Sequence, residues 1–196
     1  MVRKRVPEEV RREQILKAAS DVACRDGITG VTVRAVAAEA SVSHALVLFH
    51  FGRKERLIND LLEWVIARTA VLHVSDDIAR FPHARDRLYA LLQQEMTRQA
   101  RQPEYTRLFL EYWALGVRHE GIRTRISAEL ERYRAAFEEI MEEFVLAEPA
   151  TFAQASPRAL AAVAVSWING CAVQAMIDPV HFDTDEYLVA VQGMIG

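Results

Sequence analysis

The side chains best placed to do chemistry lie between residues 43 and 54. Ser43 and His44 follow a predicted tight turn and begin a short helix, where a hydroxyl and an imidazole can hydrogen bond outward. Arg53 and Lys54 stand at the start of the next helix. The helix macrodipole disfavours cations there unless an anion is bound nearby. The spacing therefore predicts contact with a phosphate-bearing partner, and DNA is the natural candidate.

The charge distribution favours the same end of the chain. The net charge of the 196 residues is only -3, but residues 1–56 hold 11 Lys and Arg against 7 Asp and Glu. The remainder holds 13 against 20. A basic head on an acidic body predicts that a minority of the chain binds a polyanion. Arg3, Lys4 and Arg5 precede the first helix, either as an arm that reaches a groove or as a solvated tail.

The other reactive side chains do not form a catalytic set. The sequence contains no HExxH, P-loop, GxSxG or spaced Cys/His motif. Four glutamates within residues 138–143 lie on the polar side of an amphipathic helix, which is typical of a solvated surface. His73, Asp76, Asp77 and His83 offer metal ligands, but they lie at a helix break where polar residues are common. We expect no enzyme activity, no metal and no cofactor.

Cysteine usage and the N-terminus indicate a compartment. Cys24 and Cys171 are far apart and lack CxxC spacing, so neither a disulfide framework nor a zinc site is predicted. The chain is charged from its third residue and shows no apolar signal segment. These features predict a protein of the reducing cytoplasm.

Hydrophobic spacing and turn residues predict an all-α fold of about nine helices. The first helix should begin at Pro7, bury Ile15, Ala19 and Val22, and stop at Gly27.

The next two helices are short and form a helix-turn-helix. Thr32 should cap the first, and the small Ala37 within it permits close helix crossing. Ser43 should cap the second, which runs to about Phe51 and ends at Gly52.

This segment resembles the TetR/AcrR family of regulators, whose signature reads approximately V-S-x-G-x-L-Y-x-x-F-x-x-K-E-x-L. The residues that match it, identically or by similarity, are Val42, Ser43, Val47, Phe51, Lys54, Glu55 and Leu57. The body is similar to the branch that contains the choline and betaine regulators, through FLEYWALGVRHEGIRTRI and NGCAVQAMIDPVHFD. The resemblance implies a three-helix DNA-binding domain over residues 1–54 and a larger helical ligand-binding and dimerisation domain over residues 55–196.

The resemblance also implies which residues meet DNA. Those expected to touch the backbone or neighbouring groups are Thr32, Arg34, Ser43 and His50, those facing base edges are His44, Ala45 and Leu46, and Lys54 binds phosphate. His44 can donate to purine N7 or O6, whereas Ala45 and Leu46 offer only apolar contacts, such as with a thymine methyl group.

Several residues depart from the family pattern. Ser41 occupies a turn position usually held by Gly, which costs ~1 kcal/mol if the backbone is left-handed there. Ala45 replaces Gly or Pro, and Leu48 replaces a Tyr that reaches phosphate. For Phe49 we favour packing against the following helix over contact with DNA.

Two helices near the C-terminus predict self-association. Residues 159–177 carry no charge over 19 positions, about the length that crosses a bilayer. Ser166, Asn169 and Gln174, together with the lack of a basic flank, favour burial inside protein and no membrane contact. With residues 185–195 this helix predicts a four-helix interface in a homodimer. The residues expected there are Leu160, Val163, Val165, Leu188 and Val191.

Aromatic and soft side chains concentrate in the body. They suit a mostly apolar pocket for a small effector, although many must simply be core. The candidates are Trp64, Phe109, Trp113, Phe137, Met141, Trp167 and Asn169.

The combined prediction is a homodimeric, cytoplasmic regulator that binds double-stranded operator DNA. Repression relieved by a small, largely apolar effector is favoured, and activation is left open. Effector binding would swing the helix that begins near Lys54 and change the separation of the two recognition helices. The alternative is a helical carrier of small hydrophobic molecules that does not bind DNA.

Overall fold

The structure is a computed structural model that describes residues 7–69, 74–147, 149, 151, 152 and 154–195. Within this part of the chain there are ten α-helices and no strands, which confirms the all-α prediction. The helices are α1 (Glu8–Gly30), α2 (Val33–Glu39), α3 (His44–Phe51), α4 (Lys54–Thr69), α5 (Asp76–Ala79), α6 (Ala84–Arg101), α7 (Pro103–Gly116), α8 (Glu120–Ala147), α9 (Pro157–Ile177) and α10 (Thr184–Ile195). The short α5 lies where a break was predicted.

These helices form two compact units. The first unit comprises the described residues of Met1–Val71 together with Glu104–Ile126. The second comprises those of Leu72–Pro103 and Ser127–Gly196. The first unit thus combines α1 to α4 with the segment that contains α7. The functional division at residue 54, which follows the family resemblance, stays a prediction.

The core of the first unit follows the predicted periodicity. Ile15, Ala19 and Val22 of α1 are fully buried, and α1 packs against α2 and α4. Gly27 interrupts the regular helix with a φ of 73°, and the chain then makes a further turn to Gly30. The interruption falls at the glycine where the sequence predicted the helix to stop.

The second unit is built around α6, which packs against α5, α9 and α10. The amphipathic helix predicted from its glutamates is α8, and its apolar stripe is buried except for the half-buried Leu130. The buried members are Ile122, Ile126, Tyr133, Phe137, Ile140, Met141 and Phe144. On the opposite side Glu139, Glu142 and Glu143 are exposed, as expected of a solvated face. Amphipathic periodicity therefore locates the core side of this helix correctly.

Helix α9 is apolar along most of its length and does not have a polar side like that of α8. Of the described helices it alone is long and apolar enough to cross a membrane, with a mean hydropathy of 1.6 over its most apolar stretch. Only 28% of that stretch is buried within the chain. Ala161, Ala164 and Ile168 are fully buried, whereas Val163 and Ile177 are exposed. One side of α9 therefore belongs to the core of the second unit, and its other side is left uncovered.

Candidate nucleic-acid interface

Both short helices of the helix-turn-helix begin with the predicted caps. The Thr32 hydroxyl oxygen accepts a hydrogen bond from the Ala35 amide at 3.1 Å. The Ser43 hydroxyl oxygen accepts one from the Leu46 amide at 3.2 Å. Each hydroxyl proton remains able to donate, because the cap uses only the oxygen lone pairs. Both side chains are thus positioned by the backbone they cap while keeping a donor for a partner.

The turn between α2 and α3 requires an unusual backbone conformation. Ser41 has a φ of 52°, in the left-handed region. The Val42 amide then donates to the Ala37 carbonyl oxygen at 2.9 Å, which closes the turn. Ser41 is therefore strained, because a residue with a β-carbon disfavours the left-handed conformation that this turn requires.

Helix α3 is fixed by the residues on its inner side. Val47 and Phe51 are buried, and Gly52 ends the helix with a φ of 70°. Of the predicted DNA-binding residues, His44 and Ala45 are exposed.

Leu46 and His50, by contrast, are half-buried. The structure therefore brings His44 and Ala45 to the outer surface and leaves Leu46 and His50 along its edges.

The expectation that Phe49 packs against the following helix is wrong. Its exposed fraction is 74%, and that of Leu48 is 36%. The physical reason is helical periodicity. Because Val47 and Phe51 occupy the inner side, the two residues between Val47 and His50 turn outward. Single-sequence reasoning weighed the apolar character of Phe49 above its place on the helix.

Sequence reasoning also missed Arg12, which holds the C-terminal end of α3. Its guanidinium group donates to the His50 carbonyl oxygen at 2.8 Å and pairs with the Asp60 carboxylate of α4 at 2.7 Å. It also lies over the Phe51 ring, 4.6 Å from the centroid. One arginine of α1 therefore ties α3 to α4. No local signal marks this role, because Arg12 is one of several charges in a polar stretch.

Cationic side chains lie before and after α3 in the chain. Arg34, in the first turn of α2, is exposed. After α3, Arg53 and Arg56 are exposed and Lys54 is half-buried. Lys54 opens α4, a helix of 16 residues whose first amides also favour anions. The arm predicted at Arg3 to Arg5 lies outside the described residues.

Comparison with known proteins identifies the family. Residues 15–61 match the family of bacterial regulatory proteins of the tetR type, and residues 84–195 match the C-terminal family of BetI-type transcriptional repressors. This chain belongs to the TetR family. It is a transcriptional regulator with a BetI-type C-terminal domain, as the sequence resemblance predicted.

Individual relatives of this TetR-family regulator agree with the assignment. The HTH-type transcriptional regulator BetI of Stenotrophomonas maltophilia is 26% identical over 169 residues, which cover 85% of this chain and 84% of that protein. A transcriptional regulator from Pseudomonas aeruginosa PAO1 has the same fold, with a TM-score of 0.78, 23% identity and coverage of 97% and 93% of the two chains. A regulator from Saccharomonospora viridis, solved in complex with choline, gives 0.74 at 16% identity, with 95% and 96% coverage.

In this TetR-family regulator, α7 belongs to the same compact unit as the helix-turn-helix. The Glu111 carboxylate accepts a hydrogen bond from the Ile28 amide at 2.8 Å, beside the kink at Gly27. The Tyr112 hydroxyl donates to the Ile58 carbonyl oxygen of α4 at 2.8 Å, and burial raises the pKa of Tyr112. Helix α7 is therefore bonded to both α1 and α4.

The residues predicted to bind ligand fall in both units. Trp64, Phe109 and Trp113 lie in the first unit. Trp64 is buried, and its indole N–H donates to Glu13 at 3.0 Å while the Arg68 guanidinium group lies 3.7 Å from its ring centroid. Trp64 is therefore already engaged by α1, and its role in ligand binding stays a prediction.

The other four candidates lie in the second unit. Phe137 and Met141 of α8 are buried, and Trp167 and Asn169 of α9 are half-buried. The Tyr187 hydroxyl of α10 donates to the Trp167 carbonyl oxygen at 3.2 Å. Their spacing gave no information on whether they converge on one ligand, and their role also stays a prediction.

The body contains a buried polar cluster that sequence reasoning missed. Glu95 is fully buried, and its Oε2 accepts hydrogen bonds from Arg98 at 2.9 and 2.7 Å and from the Tyr133 hydroxyl at 3.1 Å. Its Oε1 is buried without a hydrogen-bond partner among the described residues. Burial, followed by the Glu95 charge, raises the pKa of Tyr133, so its hydroxyl stays protonated. A second buried glutamate, Glu129, pairs with Arg132.

A signal for this cluster was present in the sequence. Glu95 follows Leu88, Leu91 and Leu92 at the helical spacing of the apolar stripe of α6. Glu129 holds the corresponding position in the stripe of α8. A carboxylate at a stripe position predicts a buried charge with a specific partner, whereas one on the opposite face is solvated.

The predicted dimer residues divide by exposure. Val165, Leu188 and Val191 are buried within the chain, Leu160 is half-buried, and Val163 has an exposed fraction of 45%. The exposed apolar residues of these two helices are Val163, Ile177, Val189 and Met194. We call these four residues the outer face of α9 and α10.

The alternative metal site has no support from the described residues. Asp76, Asp77 and His83 are exposed, and His73 lies outside the described part of the chain. Within that part no three His, Cys, Asp or Glu side chains are grouped so as to hold a metal ion. Both cysteines are free thiols, and burial raises the pKa of each.

Proposed function

We propose that this regulator binds operator DNA as a homodimer and leaves it when a small-molecule effector binds its body. One observation carries the proposal: α3 exposes its outer side while Val47 and Phe51 hold its inner side, and the exposed arginines Arg34, Arg53 and Arg56 lie before and after it in the chain. Membership of the TetR family supports the same role. Repression relieved by effector is the logic that the BetI-type C-terminal domain favours.

In this proposal some of the predicted DNA-binding residues contact bases and the others contact the DNA backbone or neighbouring groups. His44 and Ala45 face base edges in the major groove, with Leu46 at the margin. Thr32, Arg34, Ser43 and His50 act on the backbone or on neighbouring groups, and Lys54 meets a phosphate. The caps of Thr32 and Ser43 support this division, because each keeps a hydroxyl donor beside a helix N-terminus.

The homodimer would place two recognition helices in successive major grooves. For helix-turn-helix dimers the half-sites are separated by one helical turn, about 34–36 Å. We propose that the outer face of α9 and α10 forms this contact. It is apolar, and a second copy would remove Val163, Ile177, Val189 and Met194 from water. Packing against a second copy explains why residues 159–177 of α9 carry no charge, and no membrane contact is needed.

The effector would bind in the body and shift the population of conformations that fit DNA. We propose a small and largely apolar molecule, with Trp64, Phe109, Trp113, Phe137, Met141, Trp167 and Asn169 as its candidate contacts. The Saccharomonospora viridis regulator, which shares the fold, was solved with choline. We also propose that helix α4, which begins at Lys54, transmits the change, and that the protein acts in the cytoplasm without catalysing a reaction.

Binding to the DNA that flanks its own gene tests the proposal. Fluorescence anisotropy across a salt series should show affinity that falls steeply with salt, because phosphate contacts release counterions. His44→Ala should alter the preference between sequences by about 1–3 kcal/mol at one position. Lys54→Ala should weaken all duplexes alike and lower the salt slope by about one.

Two outcomes would count against the proposal. Equal losses on every duplex for both variants would remove the division between base and phosphate contacts. A monomeric protein that does not bind any duplex would support the hydrophobe-carrier alternative. Adding a panel of small metabolites to the same assay tests the effector step, and release by at least one of them is the expected result.

A further inference from the structure

The outward side of α3 carries four residues, of which one can hydrogen bond through its side chain. Ala45, Leu48 and Phe49 are exposed beside His44. Offsets of one, four and five residues place all four on the same side of a helix. We call Ala45, Leu48 and Phe49 the apolar face of α3. Its largest member is Phe49, which is 74% exposed.

This apolar face has a fixed orientation. Val47 and Phe51 are buried in the first unit, so α3 cannot rotate without exposing them. Ser43 caps one end of the helix. At the other end the ring of Phe49 lies edge-on to the ring of His50, with centroids 5.2 Å apart and an interplanar angle of 83°. The exposed phenyl ring is therefore presented outward by a rigid support.

The charges near α3 in the chain indicate what covers the apolar face. Exposed arginines precede and follow α3 in the chain, with Arg34 in the first turn of α2, Arg53 just before α4 and Arg56 in its first turn, so a partner of negative charge is favoured. Duplex DNA carries such charge on the phosphates that border the major groove. Among the base edges in that groove the apolar group is the C5 methyl of thymine.

We infer that the apolar face of α3 reads thymine methyl groups, with Phe49 as the main specificity-determining residue. This inference rests on the proposed DNA-binding function. Of the four outward residues, His44 supplies the hydrogen bond to a base, and the other three supply contact with methyl groups. Contacts of this kind do not release counterions, so sequence preference should persist at salt concentrations that weaken overall binding.

Selection from a pool of duplexes with a randomised central segment tests the inference. The wild-type protein should enrich sites with thymines at fixed positions in each half-site. In the selected duplex, each thymine is then replaced by deoxyuracil, which removes only the methyl group. Affinity should fall about fourfold at each contacted thymine, the loss expected for one buried methyl-sized group.

The variant Phe49→Ala tests whether Phe49 causes the loss of affinity on deoxyuracil duplexes. It should bind the thymine duplex about tenfold more weakly, and replacement by deoxyuracil at the Phe49 contact should then have no further effect. Because Phe49 is exposed, the circular dichroism spectrum and melting temperature of the variant should match those of the wild type. Phe81→Ala removes another exposed phenylalanine, which precedes α6, and should bind both duplexes as the wild type does.

The outcomes separate this inference from the proposed function. If the wild type selects a duplex but binds its deoxyuracil form equally well, thymine reading is wrong and the DNA-binding function stands. If Phe49→Ala weakens both duplexes and keeps the wild-type loss on deoxyuracil, Phe49 does not read the methyl group. If the wild type selects no duplex at all, both proposals fail and an acidic protein becomes the better partner for the apolar face.

Discussion

The two compact units differ in where they place charge and apolar surface. In the first unit the apolar face of α3 lies on a helix that exposed arginines precede and follow in the chain, Arg34, Arg53 and Arg56. In the second unit charges lie inside, at Glu95 and Glu129, and the outer face of α9 and α10 is apolar. An apolar surface with cations beside it in the chain suits a polyanion, whereas the uncharged stretch of α9, residues 159–177, suits a second copy. The environment of each surface therefore indicates its partner better than hydrophobicity does.

Two arginine pairs extend the comparison to the interior. Arg12 and Asp60 in the first unit have side chains that are 31% and 24% exposed. Arg98 and Glu95 in the second unit are 23% and 0% exposed. Removing Arg12 leaves the Asp60 charge partly hydrated, whereas removing Arg98 leaves the Glu95 charge buried. We therefore expect the loss of Arg98 to lower the free energy of unfolding more than the loss of Arg12.

The largest effect is expected for Arg98→Ala. The variant leaves the Glu95 carboxylate buried without its cation, which should lower the free energy of unfolding by about 3–5 kcal/mol. Urea denaturation measures the change. The control replaces both partners, Glu95→Leu with Arg98→Met, and should recover part of the lost stability, because no buried charge remains although the Tyr133 hydroxyl loses both of these partners. A small loss for Arg98→Ala would mean that water reaches Glu95.

The next effect concerns the outer face of α9 and α10. Val163→Asp places a charge where a second copy is proposed to pack, so sedimentation velocity should show monomers. Affinity for operator DNA should fall by about 100-fold or more, because a monomer loses the second half-site. Val117→Asp introduces the same charge at another exposed valine, just after α7, and should remain dimeric. A dimeric Val163→Asp would place the interface elsewhere.

A smaller effect is expected for Arg12→Ala. The variant loses a charged hydrogen bond to the His50 carbonyl oxygen and the pair with Asp60, worth about 2 kcal/mol of unfolding free energy. DNA affinity should also fall, because the C-terminal end of α3 loses its support. Lys17→Ala breaks an exposed ion pair with Asp21 on the same helix and should change both quantities little.

The smallest effect is a gain in stability. Ser41→Gly removes a side chain from a left-handed backbone position, which relieves about 1–2 kcal/mol of strain. The greater freedom of glycine in the unfolded chain offsets part of this, so we expect about 0.5–1 kcal/mol by thermal denaturation. Ser41→Ala keeps a β-carbon and should show no gain. DNA affinity should stay unchanged, because the turn keeps its shape.

Much of the first unit could be predicted from local sequence. The caps Thr32 and Ser43, the end of α3 at Gly52 and the left-handed turn at Ser41 depend on a few neighbouring residues. Such signals act over three or four positions, so a sequence displays them directly. The outward turn of Phe49 follows from the burial of Val47 and Phe51 by helical periodicity, and it was missed because the apolar character of Phe49 was weighed above its place on the helix.

The amino-acid sequence by itself determined the all-α fold, the caps of α2 and α3, the end of α3 at Gly52 and the family signature of Val42 to Leu57, because capping, periodicity and turn chemistry are local. Only the tertiary structure decided that Arg12 supports α3, that α7 joins the first unit, and that Glu95 is buried beside Arg98 and Tyr133. These features depend on contacts between residues far apart in the chain. Burial and hydrogen-bond partners are set by packing, which no short stretch of sequence encodes.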